Sequence, residues 1–170
     1  MRLSRNHTRQ GILWGCAVLW MGVIFLFSSQ TGDSSGALSG GLIESVLTLV
    51  YPPYRGMEAT ERAALVDSWQ FFVRKGAHFT VYMVLGILTS LAAAGHPLRE
   101  RFRVLLPLGI CLLYAAGDEF HQSFVPGRGP QLRDVAVDFC GAALGVLTVT
   151  LCRRLWRRRR EKRNRPLSPS

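Results

Sequence analysis

The chain has 170 residues, of which 48% are hydrophobic and 19% are charged, and its net charge is +10. This length fits one domain, and the charged fraction is below the roughly 25% of an ordinary soluble domain. The apolar residues come in blocks rather than in amphipathic periods, which argues against a free nucleic-acid-binding protein. Their abundance also excludes a disordered chain. The composition therefore indicates a membrane protein.

Four apolar runs predict membrane-spanning helices, each of which needs roughly 17 to 25 residues. We place the spans at about 11–28, 76–95, 102–120 and 134–152. The first run is longer than the usual apolar region of a signal peptide and is followed by no clear cleavage site, so we interpret it as an uncleaved span. The predicted fold class is all-α, an integral membrane protein with about four transmembrane helices.

The basic residues predict how the chain is oriented, because Lys and Arg are in excess in cytoplasmic segments. With the N-terminus inside, the cytoplasmic segments are 1–10, 96–103 and 153–170, which hold 15 of the 21 basic residues. The opposite orientation would leave six inside. We therefore expect both termini to be cytoplasmic. Nine of the eleven acidic residues then fall on or near the extracytoplasmic side.

Two segments lie outside the predicted spans. The outer loop, residues 29–75, contains an apolar stretch at 42–51 that favours a short interfacial helix, and residues 58–73 look helical and amphipathic. The tail, residues 153–170, begins where a span ends, so we expect it to be attracted to anionic lipid headgroups rather than to bind nucleic acid. We predict that this basic cytoplasmic tail is disordered.

Ionisable residues within spans are costly and usually mark a protein interior or a functional site. On the fourth span Asp134, Asp138, Gly141 and Gly145 lie within an arc of about 60° on a helical wheel. The two glycines form a small-xxx-small pattern, which is typical of close helix packing. We therefore expect this face to pack on a neighbouring helix and to carry two carboxylates at its outer end.

The second and third spans carry polar residues at the same depth. Lys75, His78, Tyr82 and Gly86 share a face of the second span. On the third span Asp118, His121 and Gln122 share one side of the helix, and Glu119 points to a different side. The predicted functional cluster consists of Lys75, His78, Tyr82, Asp118, Glu119, His121, Gln122, Arg128, Asp134 and Asp138, with Ser28, Ser29 and Gln30 at the outer end of the first span.

The residue types in this cluster allow several kinds of chemistry. An ion-pair and hydrogen-bond network that holds the helices together and a ligand or substrate site explain the cluster equally well. Carboxylates next to histidines could serve general acid–base catalysis, although no nucleophile is marked. The spacing Asp118-Glu119-x-His121 is not diagnostic of a metal site, and the four cysteines stand alone, so we expect no metal and no cofactor.

Several motifs together resemble the VanZ-like family. They are Phe27-Ser28-Ser29-Gln30, Arg74-Lys75-x-x-His78-Phe79-x-x-Tyr82, Asp118-Glu119-x-His121-Gln122-x-Phe124-x-Pro126-Gly127-Arg128 and Asp134-x-x-x-Asp138-x-x-Gly141. The resemblance covers about residues 11–152, and it defines residues 1–152 as a VanZ-like four-helix membrane domain. It implies a multi-pass protein of the bacterial cell membrane. The family's namesake confers resistance to the glycopeptide teicoplanin, but the resemblance assigns no catalytic role to any residue.

Three hypotheses follow for the function. In the first, a non-enzymatic membrane protein binds a cell-envelope precursor or a glycopeptide-related ligand or partner and reduces the effect of glycopeptides. In the second, a membrane enzyme acts on a lipid-linked envelope substrate, with Asp118, His121, His78 and Asp138 as working groups. The third hypothesis is a transporter. The charges lie at one end of the predicted spans instead of at the membrane midplane, and the sequence has no inverted repeat, and both observations argue against it. A homo-oligomer through Gly141 and Gly145 could restore the geometry that a transporter needs.

Overall fold

The computed structural model describes residues 2–129 and 131–163, which are helical almost throughout. The helices are α1 (Arg2–Ser28), α2 (Gly32–Val50), α3 (Ala59–Ala94), α4 (Glu100–Gln122) and α5 (Leu132–Arg163), and a 3₁₀ turn (Pro52–Gly56) connects α2 to α3. These residues contain no strand. The predicted all-α fold class is confirmed.

Four of the helices are long and apolar enough to cross a membrane. They are the Thr8–Ser28 part of α1 and the helices α3, α4 and α5. α2 is not among them, although it has 19 residues. The number of spans agrees with the prediction from the sequence, and each predicted span lies within one of these helices to within a residue.

Local sequence signals set where the helices begin and end. The hydroxyl of Thr31 accepts a hydrogen bond from the backbone N–H of Ser34 and so caps the start of α2. Glu58 and Glu61 form a reciprocal capping box at the start of α3. α3 then continues without interruption for 36 residues and ends at Gly95, where His96 and Pro97 follow. The predicted second span, 76–95, therefore corresponds to the second half of a longer helix.

α3 and α5 make the closest helix contact in the bundle, and glycines on both helices permit it. A Cβ atom at Gly141 would collide with the backbone carbonyl of Phe79, and one at Gly145 with that of Met83. In the opposite direction, a Cβ atom at Gly86 would collide with the carbonyl of Ala142. Gly141 and Gly145 thus face α3 of the same chain, so this face is already covered and is not a free surface for a second copy.

The bundle has two chemically different ends. At the loop end α1 finishes at Ser28, α4 finishes at Gln122 and α5 begins at Leu132. At the basic end the Gln10 amide donates to the carbonyl of Gly95, and the Trp14 Nε1–H donates to His96 Nε2 at 3.1 Å. Between the two ends, the buried core is formed by Ile24, Tyr82, Leu85, Cys111, Ala115 and Ala142.

Residues 29–75, which the sequence analysis places in an outer loop, are mostly helical. The short helix predicted at 42–51 is part of α2, which starts ten residues earlier, at Gly32. α2 packs against the first half of α3 around a small core of Ile43, Tyr54 and Val66. Capping by Thr31 extends α2 through the Gly/Ser-rich stretch, because it satisfies one of the backbone N–H groups at the helix start.

The basic segment also differs from its prediction. α5 continues to Arg163, so residues 153–163 are helical and the predicted disorder is wrong for them. Long Arg side chains lose little rotamer freedom in a helix, which explains why the helix extends past the apolar span. The remainder of the predicted tail, residues 164–170, lies outside the described residues.

Candidate functional site

At the loop end, a carboxylate from α4 is held by hydrogen bonds from two helices. Asp118 is 4% exposed, and its Oδ2 accepts from Ser28 Oγ at 2.6 Å and from Gln122 Nε2 at 3.1 Å. The Gln122 amide also donates to Ser28 Oγ at 3.2 Å. Ser28 is the last residue of α1, so this network fixes the end of α1 against α4. Three of the residues predicted for the cluster and the end of span one therefore make direct contact.

A second carboxylate lies on α5 beside α3. Asp138 is 2% exposed, and its Oδ1 is 3.5 Å from His78 Nδ1, beyond the usual range of an N–H···O hydrogen bond. One turn nearer the helix start, Lys75 forms an ion pair with Asp134. α3 and α5 run parallel here. Lys75 therefore faces Asp134 and, one turn further along both helices, His78 faces Asp138.

Three buried oxygens in this region make no hydrogen bond of normal geometry with the described residues, although the Tyr82 hydroxyl interacts with Asp118 and Asp138 with His78. They are Asp118 Oδ1, Asp138 Oδ1 and the hydroxyl of Tyr82. Tyr82 is fully buried on α3 and interacts electrostatically with both carboxylates. Buried polar groups normally have a partner, so unpaired oxygens concentrated in one place call for an explanation.

Glu119 is buried, contrary to what its position on the helical wheel indicates. Its Oε1 accepts a hydrogen bond from the backbone N–H of Gln131 at 2.5 Å. The chain after α4 folds back over the helix end, and this covers a side chain that would otherwise face outward. Glu119 thereby connects α4 to the start of α5.

The described contacts of His121 are with the end of α1 and the residue that follows it. Its Nε2 is 3.1 Å from Ser29 Oγ, and its ring stacks on that of Phe25 with 4.5 Å between centroids. Ser29 Oγ also donates to the backbone carbonyl of Phe25 at 2.7 Å. These contacts are different from those of His78, which lies beside Asp138.

The loop after α4 places Arg128 beside α2 and α3. Gly127 adopts a φ of 74°, which favours glycine, and a Cβ atom at Gly32 would come within 2.5 Å of the Gly127 carbonyl oxygen. The Gly32 N–H donates to the carbonyl of Pro126 at 3.2 Å. Arg128 is half-buried, and burial, followed by the nearby charge of Arg74, lowers the pKa of its guanidinium.

A cavity of about 310 Å³ opens next to this loop, between α1, α2 and α3. Its polar lining consists of Ser28, Gln30, Ser35, Ser39, Arg74, His78 and Arg128. The sequence analysis places Arg74 in a motif but not in the predicted cluster, and it assigns no residue of α2 to this site. Its position at an outer helix end, where positive charge is disfavoured, indicates that Arg74 has a partner.

Among residues 2–129 and 131–163, no group of three or more His, Cys, Asp or Glu side chains is positioned to hold a metal ion. Within these residues the loop end therefore offers hydrogen-bonding, ionic and proton-transfer chemistry.

The fold and the site together define a helical protein of the membrane-spanning type, with a polar cluster at one end of the bundle. A model of the VanZ/LLP1 family matches residues 13–153, and the chain belongs to this family. The resemblance seen in the sequence motifs is thus confirmed. No curated protein and no solved structure matches the chain significantly.

Proposed function

We propose that this VanZ/LLP1 family member acts at the extracytoplasmic face of a bacterial cell membrane. There its loop-end cluster binds a cell-envelope ligand or partner and reduces the effect of glycopeptides such as teicoplanin. The observation that carries the proposal is the set of unpaired polar groups at the loop end: the buried oxygens of Asp118, Asp138 and Tyr82, and the half-buried Arg128 beside a cavity.

A network with a purely structural role would account for only part of this cluster. The Ser28–Asp118–Gln122 hydrogen bonds and the Lys75–Asp134 ion pair hold helices together. Polar contacts between membrane helices contribute on average less than about 1 kcal/mol each, a small gain for many buried charges. The oxygens that remain unpaired add a cost that helix packing does not explain. Ser28 and His78, which contact Asp118 and Asp138, line the cavity, so a ligand bound there would interact with this cluster through them.

The proposal requires that both termini lie in the cytoplasm, so that the loop end faces outward. We expect a green fluorescent protein fused after Ser170 to fluoresce and an alkaline phosphatase fused there to be inactive. Inserted after Arg55 in the 3₁₀ turn, the phosphatase should be active. The opposite pattern at the two positions would place the loop end in the cytoplasm and contradict the proposed site of action.

The functional test is the susceptibility of a sensitive Gram-positive host to teicoplanin and vancomycin. Expression of the parent protein should raise the inhibitory concentration of teicoplanin, and His78→Ala should lose most of that protection at the same membrane level. Arg153→Gln, at the basic end, serves as the matched control and should protect as the parent does. Growth inhibited equally with and without the parent protein would contradict the glycopeptide role.

A second candidate is a membrane enzyme acting on a lipid-linked envelope substrate. The observation that favours it is His78 facing Asp138 at 3.5 Å, with the Tyr82 hydroxyl nearby, since such groups can exchange protons. His121, predicted as a further working group, contacts Ser29 and Phe25 instead of this pair. The enzyme hypothesis expects a change in the envelope lipids on expression that is absent in His78→Ala. Identical lipid profiles, unaffected by a chelator, would count against it.

A further inference from the structure

The cavity at the loop end has an apolar wall and a cationic rim. Its wall includes Ile24 and Phe27 of α1, Leu38 and Leu42 of α2, and Val81 of α3. Leu38 is 61% exposed and Leu42 is 58% exposed, so the cavity is open to its surroundings on the α2 side. A molecule entering from the surrounding lipid would meet hydrocarbon first and the arginines next.

Two arginines line this cavity without a carboxylate partner. Within the described residues, neither the Arg74 nor the Arg128 guanidinium makes an ion pair or a hydrogen bond, and the Nε of Arg128 is buried. Arg74 repels Arg128 electrostatically, whereas Asp118, Glu119 and Asp134 attract it without forming an ion pair with it. No acidic residue lines the cavity, but two lining residues contact carboxylates behind its wall: the Ser28 hydroxyl donates to Asp118, and His78 lies 3.5 Å from Asp138.

We propose that this cavity binds a membrane lipid with a phosphate monoester headgroup. Arg74 and Arg128 would hold the phosphate, and the first carbons of the chain would lie against Leu38 and Leu42. A guanidinium donates two parallel hydrogen bonds to a phosphate, so two unpaired arginines match a dianionic group with three acceptor oxygens. This inference rests on the proposed function for the site, and it names the class of ligand.

The cavity at the opposite end of the bundle is a natural comparison. It is larger, about 750 Å³, and is also lined by arginines, among them Arg153 and Arg157. Arg157, however, pairs with Glu100 at 3.0 Å, and Glu100 also pairs with Arg103 at 3.1 Å. These ion pairs partly neutralise the positive charge at this end of the bundle. The larger cavity is therefore the weaker site for an anion.

The experiment is site-specific photo-crosslinking of the full chain in lipid vesicles. The vesicles contain phosphatidylcholine with equal minor fractions of phosphatidic acid, a phosphate monoester, and phosphatidylglycerol, a diester. Photoreactive benzoylphenylalanine replaces Leu38 at the cavity or Leu113 on α4, which is 77% exposed and reports the bulk lipid. Mass spectrometry of the adducts gives the ratio of each lipid at the two positions.

We expect phosphatidic acid to be enriched at position 38 relative to position 113, and Arg74→Gln with Arg128→Gln to reduce the enrichment about tenfold, because charge-assisted hydrogen bonds are lost. Arg153→Gln should leave it unchanged. Ala77→Phe, which fills the cavity, should also abolish it, whereas Ala64→Phe, at an exposed position of the same helix, should not.

Three results would overturn the proposal. The first is equal lipid ratios at the two positions, and the second is enrichment that survives the double arginine substitution. The third is loss of the enrichment on adding millimolar inorganic phosphate, which would show that the site prefers the free anion to the lipid. Enrichment in a protein that gives no glycopeptide tolerance would uphold the lipid site while contradicting the proposed function, so the two can fail separately.

Discussion

Gly141→Ala is expected to destabilise the protein by about 3 kcal/mol, a larger effect than that of most single substitutions. The added methyl group would collide with the backbone carbonyl of Phe79, which cannot rotate away as a side chain could. α3 and α5 would have to separate, and the contacts around Gly86 and Gly145 would be loosened as well. In detergent, the temperature at which the protein loses its monodisperse elution peak should fall by about 10 °C.

Gly76→Ala is the matched control for this prediction. Gly76 is on α3, as Phe79 is, but a Cβ atom there meets nothing within 4 Å. The substitution should leave the melting temperature unchanged or raise it slightly, because alanine has the higher helix propensity. Equal melting temperatures for Gly141→Ala, Gly76→Ala and the parent would show that α3 and α5 do not pack as closely as described.

Asp118→Ala is expected to cost about 2 kcal/mol, whereas Asp118→Asn should cost much less. Alanine removes the acceptor shared by Ser28 and Gln122, whose donors would then lack that partner at a buried site. The carbonyl oxygen of asparagine can accept both hydrogen bonds. The difference between the two variants therefore measures the hydrogen bonds separately from the charge.

Thermal melting of both variants in the same detergent provides the measurement. Asp118→Asn should melt close to the parent and Asp118→Ala several degrees lower. Glu100→Ala, at the exposed basic end, is the control and should have little effect, since exposed ion pairs contribute little. If asparagine were as destabilising as alanine, the charge of Asp118 rather than its hydrogen bonds would hold α1 to α4.

The pairing of α3 with α5 could be anticipated from sequence periodicity. Lys75 and His78 repeat on one helical face, and Asp134 and Asp138 repeat on another, each followed by glycines. Opposite charges and small residues at matching positions indicate two helix faces that pack together, and the structure brings these faces into contact. Periodicity works here because both stripes lie on regular helices.

The cavity could not be anticipated in the same way. Its shape depends on the direction that α2 takes after the end of α1. It also depends on the close approach of Gly32 to Gly127, which are more than 90 residues apart in the chain. The burial of Glu119 has a similar cause, because the loop that covers it comes from the segment after α4. Contacts of this kind depend on loop conformation, for which a helical wheel has no information.

The length of the helices was underestimated for another reason. The apolar composition of a segment indicates which part of a helix can lie in lipid. The helix itself continues beyond that part wherever the following residues have a high helix propensity or the helix end is capped. The basic segment of α5 continues in this way, and so does α3, whose first half, 58–73, was correctly predicted to be helical. Predicted span limits are therefore limits of hydropathy, and the helices extend beyond them.

The central claim is that the loop-end cluster acts on a molecule outside the chain and does not serve only to hold the helices together. Asp138→Asn tests it most directly, because Asp138 makes no hydrogen bond within the normal range in the described residues, so the substitution should leave the melting temperature unchanged. We predict that this variant, at the parent's membrane level and melting temperature, loses the teicoplanin protection that the parent gives. Protection equal to the parent's would contradict the claim.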